Sequence, residues 1–215
     1  MRNFPLYELT LTTRRLTLRL PTLVELDELA DLTRGGVFSA GPTPFYSDWT
    51  NAGADQVARG VILHHWRKLS AWSPDNWELP LCVFRDGEVV GSQVVKGTGF
   101  AVTREVRTGS WLGLPHQRQG IGTEMRAAVL AFAFEYLGAV TARSGAFTDN
   151  HASAAVSAKL GYRDDGVRRQ VVDGALRECQ FYRLNLDAFA SPVDLTVDRL
   201  EACRHLFGAD PGEAT

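Results

Sequence analysis

A mixed α+β architecture is what the sequence predicts, on three observations. Apolar residues recur at helical spacing in the first third, two Asp-Gly pairs join runs of strand character, and the second half alternates strand, helix, strand and helix. Leu16, Leu18 and Leu20 alternate with Thr17 and Arg19, so a strand buries one face until Pro21 ends it. Thr22 with Glu25 three residues later makes a capping box, and Leu23, Leu26, Leu29 and Ala30 give the following helix an apolar stripe that Gly35-Gly36 stops. Between Phe38 and Gly53, turn formers surround Phe45, Tyr46 and Trp49, which predicts an irregular loop with aromatic anchors. Helical spacing returns from Ala54 to about Trp72 through Val57, Val61, Ile62, Trp66 and Leu69.

Strands over Leu79 to Phe84 and Glu88 to Val95 flank Asp86-Gly87, two residues that tolerate the positive φ of a tight hairpin. A third strand is expected at about Arg107 to Leu114. After Gly120, the residues Ile121, Met125, Val129, Phe132 and Tyr136 share one face of a long helix. Ala139 to Phe147 reads as a strand, and His151 to Leu160 as a short helix that Gly161 stops. Tyr162 to Val171 and Leu176 to Leu186 form a second hairpin through Asp173-Gly174. A final helix is expected over Ser191 to Phe207, then a fraying tail from Gly208 to Thr215. A domain over 1–190 with a helical extension over 191–215 suits the chain of 215 residues.

Composition excludes several classes. Lys+Arg 23 against Asp+Glu 25, with no basic run, argues against nucleic acid as partner. No stretch reaches the roughly 18 apolar residues of a membrane span. Met1-Arg2-Asn3-Phe4-Pro5 leads into no secretory apolar core, so no membrane role and a cytoplasmic location are expected. Cys82, Cys179 and Cys203 are too scattered for a disulfide framework, and neither they nor His64, His65, His116, His151 and His205 have metal-ligand spacing, so no metal is expected.

The informative stretch is Gln117-Arg118-Gln119-Gly120-Ile121-Gly122-Thr123, between a strand and a helix. Unpaired N–H groups at a helix N-terminus favour a phosphate, and small residues let it approach. By themselves the glycines are weak evidence and suit a plain strand-to-helix turn better. A mononucleotide P-loop would need Gly-Lys-Ser/Thr, yet Gly122 precedes Thr123-Glu124; the third glycine of a dinucleotide fingerprint would fall on Met125.

With Asn150-x-x-Ser153 opening the short helix and Leu160-Gly161-Tyr162 closing it, this order of pieces resembles the GNAT acyltransferases, most closely their RimJ/RimL-like branch. The likeness runs from about Leu9 to Leu186. Gly109-Ser110-Trp111-Leu112-Gly113-Leu114 with Gly122-Thr123-Glu124-Met125-Arg126-Ala127 is further similar to an actinobacterial subgroup associated with succinyl-CoA.

The resemblance implies a mixed central sheet splayed between two parallel strands, flanked by helices. It implies acyl-CoA, acetyl or succinyl, as co-substrate, and a primary amine as acceptor: a protein N-terminus, a lysine or a small molecule. The open edge Leu112, Gly113 and Leu114 would pair with the pantetheine arm. The backbone of Arg118, Gln119, Gly120, Ile121, Gly122 and Thr123, opened by Gln117, would hold the pyrophosphate. Asn150 would bond the arm, although it would equally cap the helix. Ser153 matches a serine placed near the sulfur, where its hydroxyl can donate to the departing thiolate. Many members carry a tyrosine seven residues after the asparagine; here Ser157 stands there. No base is evident: Arg168-Arg169-Gln170-Val171 holds no carboxylate, and Glu178, His64, His65 or a water relay are the alternatives. Phe45, Trp49 and Trp66 would line the acceptor pocket or pack in the core. Arg14-Arg15 and Arg168-Arg169 would meet an acidic acyl group or the 3'-phosphate, unless they are ordinary surface residues. A mildly acidic rim would favour cationic amines. A homodimer through a strand edge or through Leu200 and Phe207 is expected, and an acyl-CoA-binding module without catalysis is the rival reading.

Overall fold

The computed structural model describes residues 1–38, 43–45 and 49–209. Tyr46 and the tail beyond 209 lie outside the described residues.

In chain order, β1 (Thr10–Thr12) and β2 (Leu16–Arg19) precede α1 (Leu23–Asp31) and α2 (Ala54–Ser70). Then follow β3 (Asn76–Arg85), β4 (Glu88–Thr98), a short α3 (Phe100–Thr103), β5 (Glu105–Leu112) and α4 (Ile121–Ala131). The rest comprises β6 (Thr141–Phe147), α5 (His151–Lys159), β7 (Arg163–Val172), β8 (Ala175–Asn185) and β9 (Thr196–Asp198). The strands form one sheet in the order β7-β8-β6-β5-β4-β3-β2-β1-β9.

Local chemistry explains the elements. Thr22 and Glu25 make the capping box of α1 in both directions. Asp86 and Gly87, at φ 52 and 85, turn β3 into β4, and Asp173 and Gly174, at φ 52 and 73, turn β7 into β8. The long helix after Gly120 ends in one π turn over Phe132–Tyr136, where Leu137 N–H donates to the Phe132 carbonyl. The third strand stops at Leu112, because a 3-10 turn over Leu114–His116 begins two residues later.

The sheet separates two apolar layers. On one face Ile121, Met125 and Val129 of α4 pack with Leu18, Leu79, Val95 and Val106. On the other, Leu26 and Leu29 of α1 pack on Cys82, Phe84 and Val89, with Trp111 and Val61 alongside.

The C-terminal segment differs from expectation. Instead of a helix over Ser191 to Phe207, β9 pairs with β1, and a 3-10 turn over Arg204–Phe207 plugs the core. Phe207 is fully buried, and its carbonyl accepts from Trp77 Nε1 at 2.9 Å; the Leu206 carbonyl accepts from Trp72 Nε1 at 2.8 Å. Aromatic packing against the first half outweighs local helix preference here. Leu200 and Phe207 are therefore internal, and neither offers a dimer surface.

One pairing is parallel, and it is short. β5 matches β6 only over Glu105–Thr141, Val106–Ala142 and Arg107–Arg143. Beyond this, β5 continues against β4 and β6 against β8, so the two part and β5 leaves an open edge from Thr108 to Leu112. On its other side, β4 carries a bulge at Val90, since Val83 pairs with Gly91 and Phe84 with Val89. Gly91 must be glycine, because an added Cβ would sit 2.9 Å from Leu112 Cα and closer still to the Trp111 carbonyl.

Candidate active site

A cleft of about 1350 Å³ opens where β5 and β6 part. Its wall includes Leu112, Leu114, Gln117, Arg118, Gly120, Gly122, Thr123, Asn150 and Ser153, so most of the residues singled out in the sequence meet at one place. Gly113, Gln119 and Ile121 stand outside the wall, and Ile121 puts its side chain wholly into the core.

The loop from Gly113 to Gly122 is held from behind. Gln117 Nε2 donates to the carbonyls of Val37 and Leu112, both at 2.9 Å. Gln119 Nε2 donates to the Pro115 carbonyl at 2.8 Å, and its Oε1 accepts from Arg85 at 2.5 Å. Both glutamine side chains thus brace the loop, and its backbone faces the cleft. Arg118 at φ 60 and Gly120 at φ 79 adopt left-handed conformations that curl this backbone. Among the described residues, no N–H from Arg118 to Gly122 has an acceptor, and a Cβ at Gly122 would meet nothing nearer than Leu112 Cδ1 at 3.8 Å. A run of free N–H groups opening α4 suits a pyrophosphate, and the bare edge of β5 suits an amide-bearing arm. The residues present therefore fit an acyl-CoA.

Glu124, in the first turn of α4, fixes the helix to the turn between β1 and β2. It accepts from the Thr13 hydroxyl at 2.7 Å and from Arg15 Nε at 2.6 Å. Arg15 is thereby committed and stands off the cleft wall, as does Arg14.

At the far wall, Asn150 caps α5: its Oδ1 accepts from Ser153 N–H at 3.1 Å. Its Nδ2 has no partner among the described residues, so capping and ligand contact are compatible. The Ser153 hydroxyl is likewise uncommitted. Ser157 is buried and donates to the Ser153 carbonyl at 3.1 Å.

Arg126 of α4 is the residue the sequence argument missed. It is 5% exposed, on the cleft wall, with Nη1 donating to Ser157 Oγ at 3.1 Å and Nη2 to Ser110 Oγ at 3.4 Å. Its Nε has no acceptor, and burial pushes its pKa down from the ordinary value. The available signal is that Arg126 is the charged residue inside Met125-Arg126-Ala127-Ala128-Val129-Leu130-Ala131, a helical run buried throughout.

Several candidates fall away from the cleft. Neither His64 nor His65 lines it: His64 lies 3.8 Å from Glu78, and His65 is buried, its pKa pushed down to about 4 by desolvation. Glu178 is exposed on the sheet face opposite Cys179, and Trp66 is exposed on α2, away from the wall. Phe45 does line the cleft, and it connects through Trp49 to Trp111 by ring contacts of 4.9 and 5.9 Å.

The wall is basic. Arg107, Arg118, Arg126, Arg143, Lys159 and Arg168 line it, against Asp149, whose carboxylate Arg177 holds at 2.9 Å. Arg143 is answered by Glu105 and Asp165 just outside, and the Arg168 guanidinium lies over the Phe181 ring. Among the described residues no cluster of His, Cys, Asp or Glu could hold a metal, and no helix is long and apolar enough to cross a membrane.

A mixed sheet parted between its two parallel strands, with a glycine loop opening the helix beside the gap, defines the GNAT acyltransferase fold. The chain belongs to the GNAT acetyltransferase family: residues 15–163 match the family described as Acetyltransferase (GNAT) domain. Among solved structures, RimJ of Mycobacterium smegmatis in complex with CoA-disulfide is similar at 19% identity and TM-score 0.65, covering 83% of this chain and 88% of that one. RimL, the ribosomal L7/L12 alpha-N-protein acetyltransferase in complex with coenzyme A, is similar at 17% identity and TM-score 0.61, covering 82% and 97%. The microcin C7 self-immunity acetyltransferase MccE, solved with acetyl-CoA and AMP, gives 17% and 0.60, covering 80% and 93%.

Proposed function

We propose that this chain is an N-acyltransferase that moves an acetyl or succinyl group from acyl-CoA to a primary amine by direct attack on the thioester. The observation that carries this is the open edge of β5 from Thr108 to Leu112, running toward free N–H groups on the glycine loop. The arm pairs with the edge, and the pyrophosphate sits on the N–H groups from Arg118 to Gly122. An N–H of the parted strand polarises the thioester carbonyl. The amine nitrogen bonds to the carbonyl carbon, the C–S bond breaks with its electron pair going to sulfur, and the Ser153 hydroxyl donates to that thiolate. The proton of the attacking amine leaves through water.

Thermal unfolding with acetyl-CoA, succinyl-CoA, CoA, ATP and NAD tests the reading, followed by amine-dependent thiol release. A ligand at about 100 times its dissociation constant adds roughly 2.7 kcal/mol. Stabilisation by CoA species alone supports it, and no shift with any of them ends it. One rival, an acyl-CoA-binding module without turnover, predicts the shift without thiol release. A homodimer, suggested by the resemblance, is read from the mass of the same sample in solution.

A further inference from the structure

Arg126 holds a buried positive charge that no carboxylate among the described residues pairs with. The other cations of the wall are either exposed to solvent, as Arg107, Arg118, Lys159 and Arg168 are, or answered, as Arg143 is by Glu105 and Asp165. Arg126 meets two neutral hydroxyls, Ser110 and Ser157, with the buried Tyr162 phenol close by, and its buried Nε has no acceptor. Guanidinium stays protonated even when burial disfavours it, so the charge is permanent. A buried charge without a partner is strongly unfavourable, and an anion brought in by a ligand would relieve that cost.

The position says which part of the donor does so. Arg126 lies six residues past Gly120, roughly 9 Å along the helix, so it is too deep for the phosphates held at the N-terminus. It contacts Ser110 on the open edge of β5, between the loop and the point where β5 meets β6. With the pyrophosphate on the loop and the arm on the edge of β5, as proposed above, the acyl chain arrives at this end of the gap. The thiolate of CoA is charged only after the C–S bond breaks, whereas Arg126 is dry and charged throughout.

We propose that Arg126 is a specificity-determining residue that receives the free carboxylate of a short dicarboxylic acyl chain, so that the favoured donor is a monothioester of a diacid. This rests on the acyl-CoA reading above. The two serines fix the plane of the guanidinium, and a carboxylate is the planar anion that accepts in pairs from such a fork. An uncharged acyl chain would leave the cation unpaired in a site it has just closed to water.

The test measures binding of succinyl-CoA, butyryl-CoA, acetyl-CoA and free CoA to the wild-type chain and to Arg126→Met and Arg126→Lys. Butyryl-CoA has the same chain length without the charge. The wild type is expected to prefer succinyl-CoA to butyryl-CoA by roughly 10- to 100-fold. Arg126→Met should lose the preference while still binding butyryl-CoA, and Arg126→Lys should keep part of it. Binding of both thioesters within about threefold by the wild type overturns the proposal, as does a preference that survives in Arg126→Met; about threefold is under 1 kcal/mol. If free CoA binds more tightly than butyryl-CoA, increasingly so as pH rises, and Arg126→Met abolishes this, the partner is the thiolate and the carboxylate proposal falls. Failure of every CoA species to bind removes the acyl-CoA reading itself. Retained butyryl-CoA binding shows that Arg126→Met has folded; if it does not fold, Arg126→Lys carries the comparison.

Discussion

Arg15 Nη2 lies 2.5 Å from Glu124 Oε2, which places a neutralised carboxylate in the first turn of the helix whose N-terminus faces the cleft. The pair ties the turn between β1 and β2 to the loop, and Arg15 Nη1 also donates to the Gln119 carbonyl at 3.2 Å. Arg15→Ala would expose the Glu124 charge beside the phosphate cradle. CoA affinity should fall about two- to fivefold, and more at low salt, with Glu124→Gln in the same chain restoring it. A titration of CoA at two ionic strengths checks this.

A Cβ at Gly122 would make only an ordinary contact, with Leu112 Cδ1 at 3.8 Å, so a larger residue there should spare the fold and harm the ligand. Gly122→Val is expected to leave the thermal midpoint of the free chain unchanged or slightly raised, since glycine is a poor helix former. Its branched side chain blocks the N–H groups, and the stabilisation by CoA should vanish. A variant that still shifts with CoA would show that the loop backbone does not hold the donor.

Ser153→Ala should lower turnover about tenfold and leave donor affinity unchanged, because the hydroxyl is needed when sulfur takes up charge. Its N–H remains available to Asn150, so the cap on α5 survives. Equal turnover at saturating donor would remove the role of Ser153.

His65 predicts an acid limb in stability. Its folded pKa of about 4 lies below the ordinary 6.5, so the unfolded chain binds the extra proton between those values. Its contribution is complete above about pH 6.5 and is lost as pH falls toward 4. His65→Leu should flatten the thermal midpoint across that window, as differential scanning calorimetry at several pH values would show.

Where a signal is local, the sequence carried it. Asp86-Gly87 and Asp173-Gly174 need positive φ, and Thr22 with Glu25 needs only a helix start, so these turns and this cap could be read directly. The glycine loop, Asn150 and Ser153 also could be read, since each is tied to the start of a helix. Long-range contacts were not legible. The burial of Arg126 depends on where β5 and β6 part, and the course of 191–207 depends on Trp72 and Trp77, more than a hundred residues earlier. The strand Thr10–Thr12 is too short to show a period, and it exists because β2 and β9 flank it.

The pairing of Leu11 with Val197 has a consequence for synthesis. While the chain emerges from the ribosome, the outer edge of β1 stands bare until nearly all of the sheet has been made, and the pocket that Phe207 fills under Trp77 stays hollow for as long. Closure of the core is thus a late event, and a nascent chain halted before residue 196 would present a sticky strand edge to its neighbours or to a chaperone.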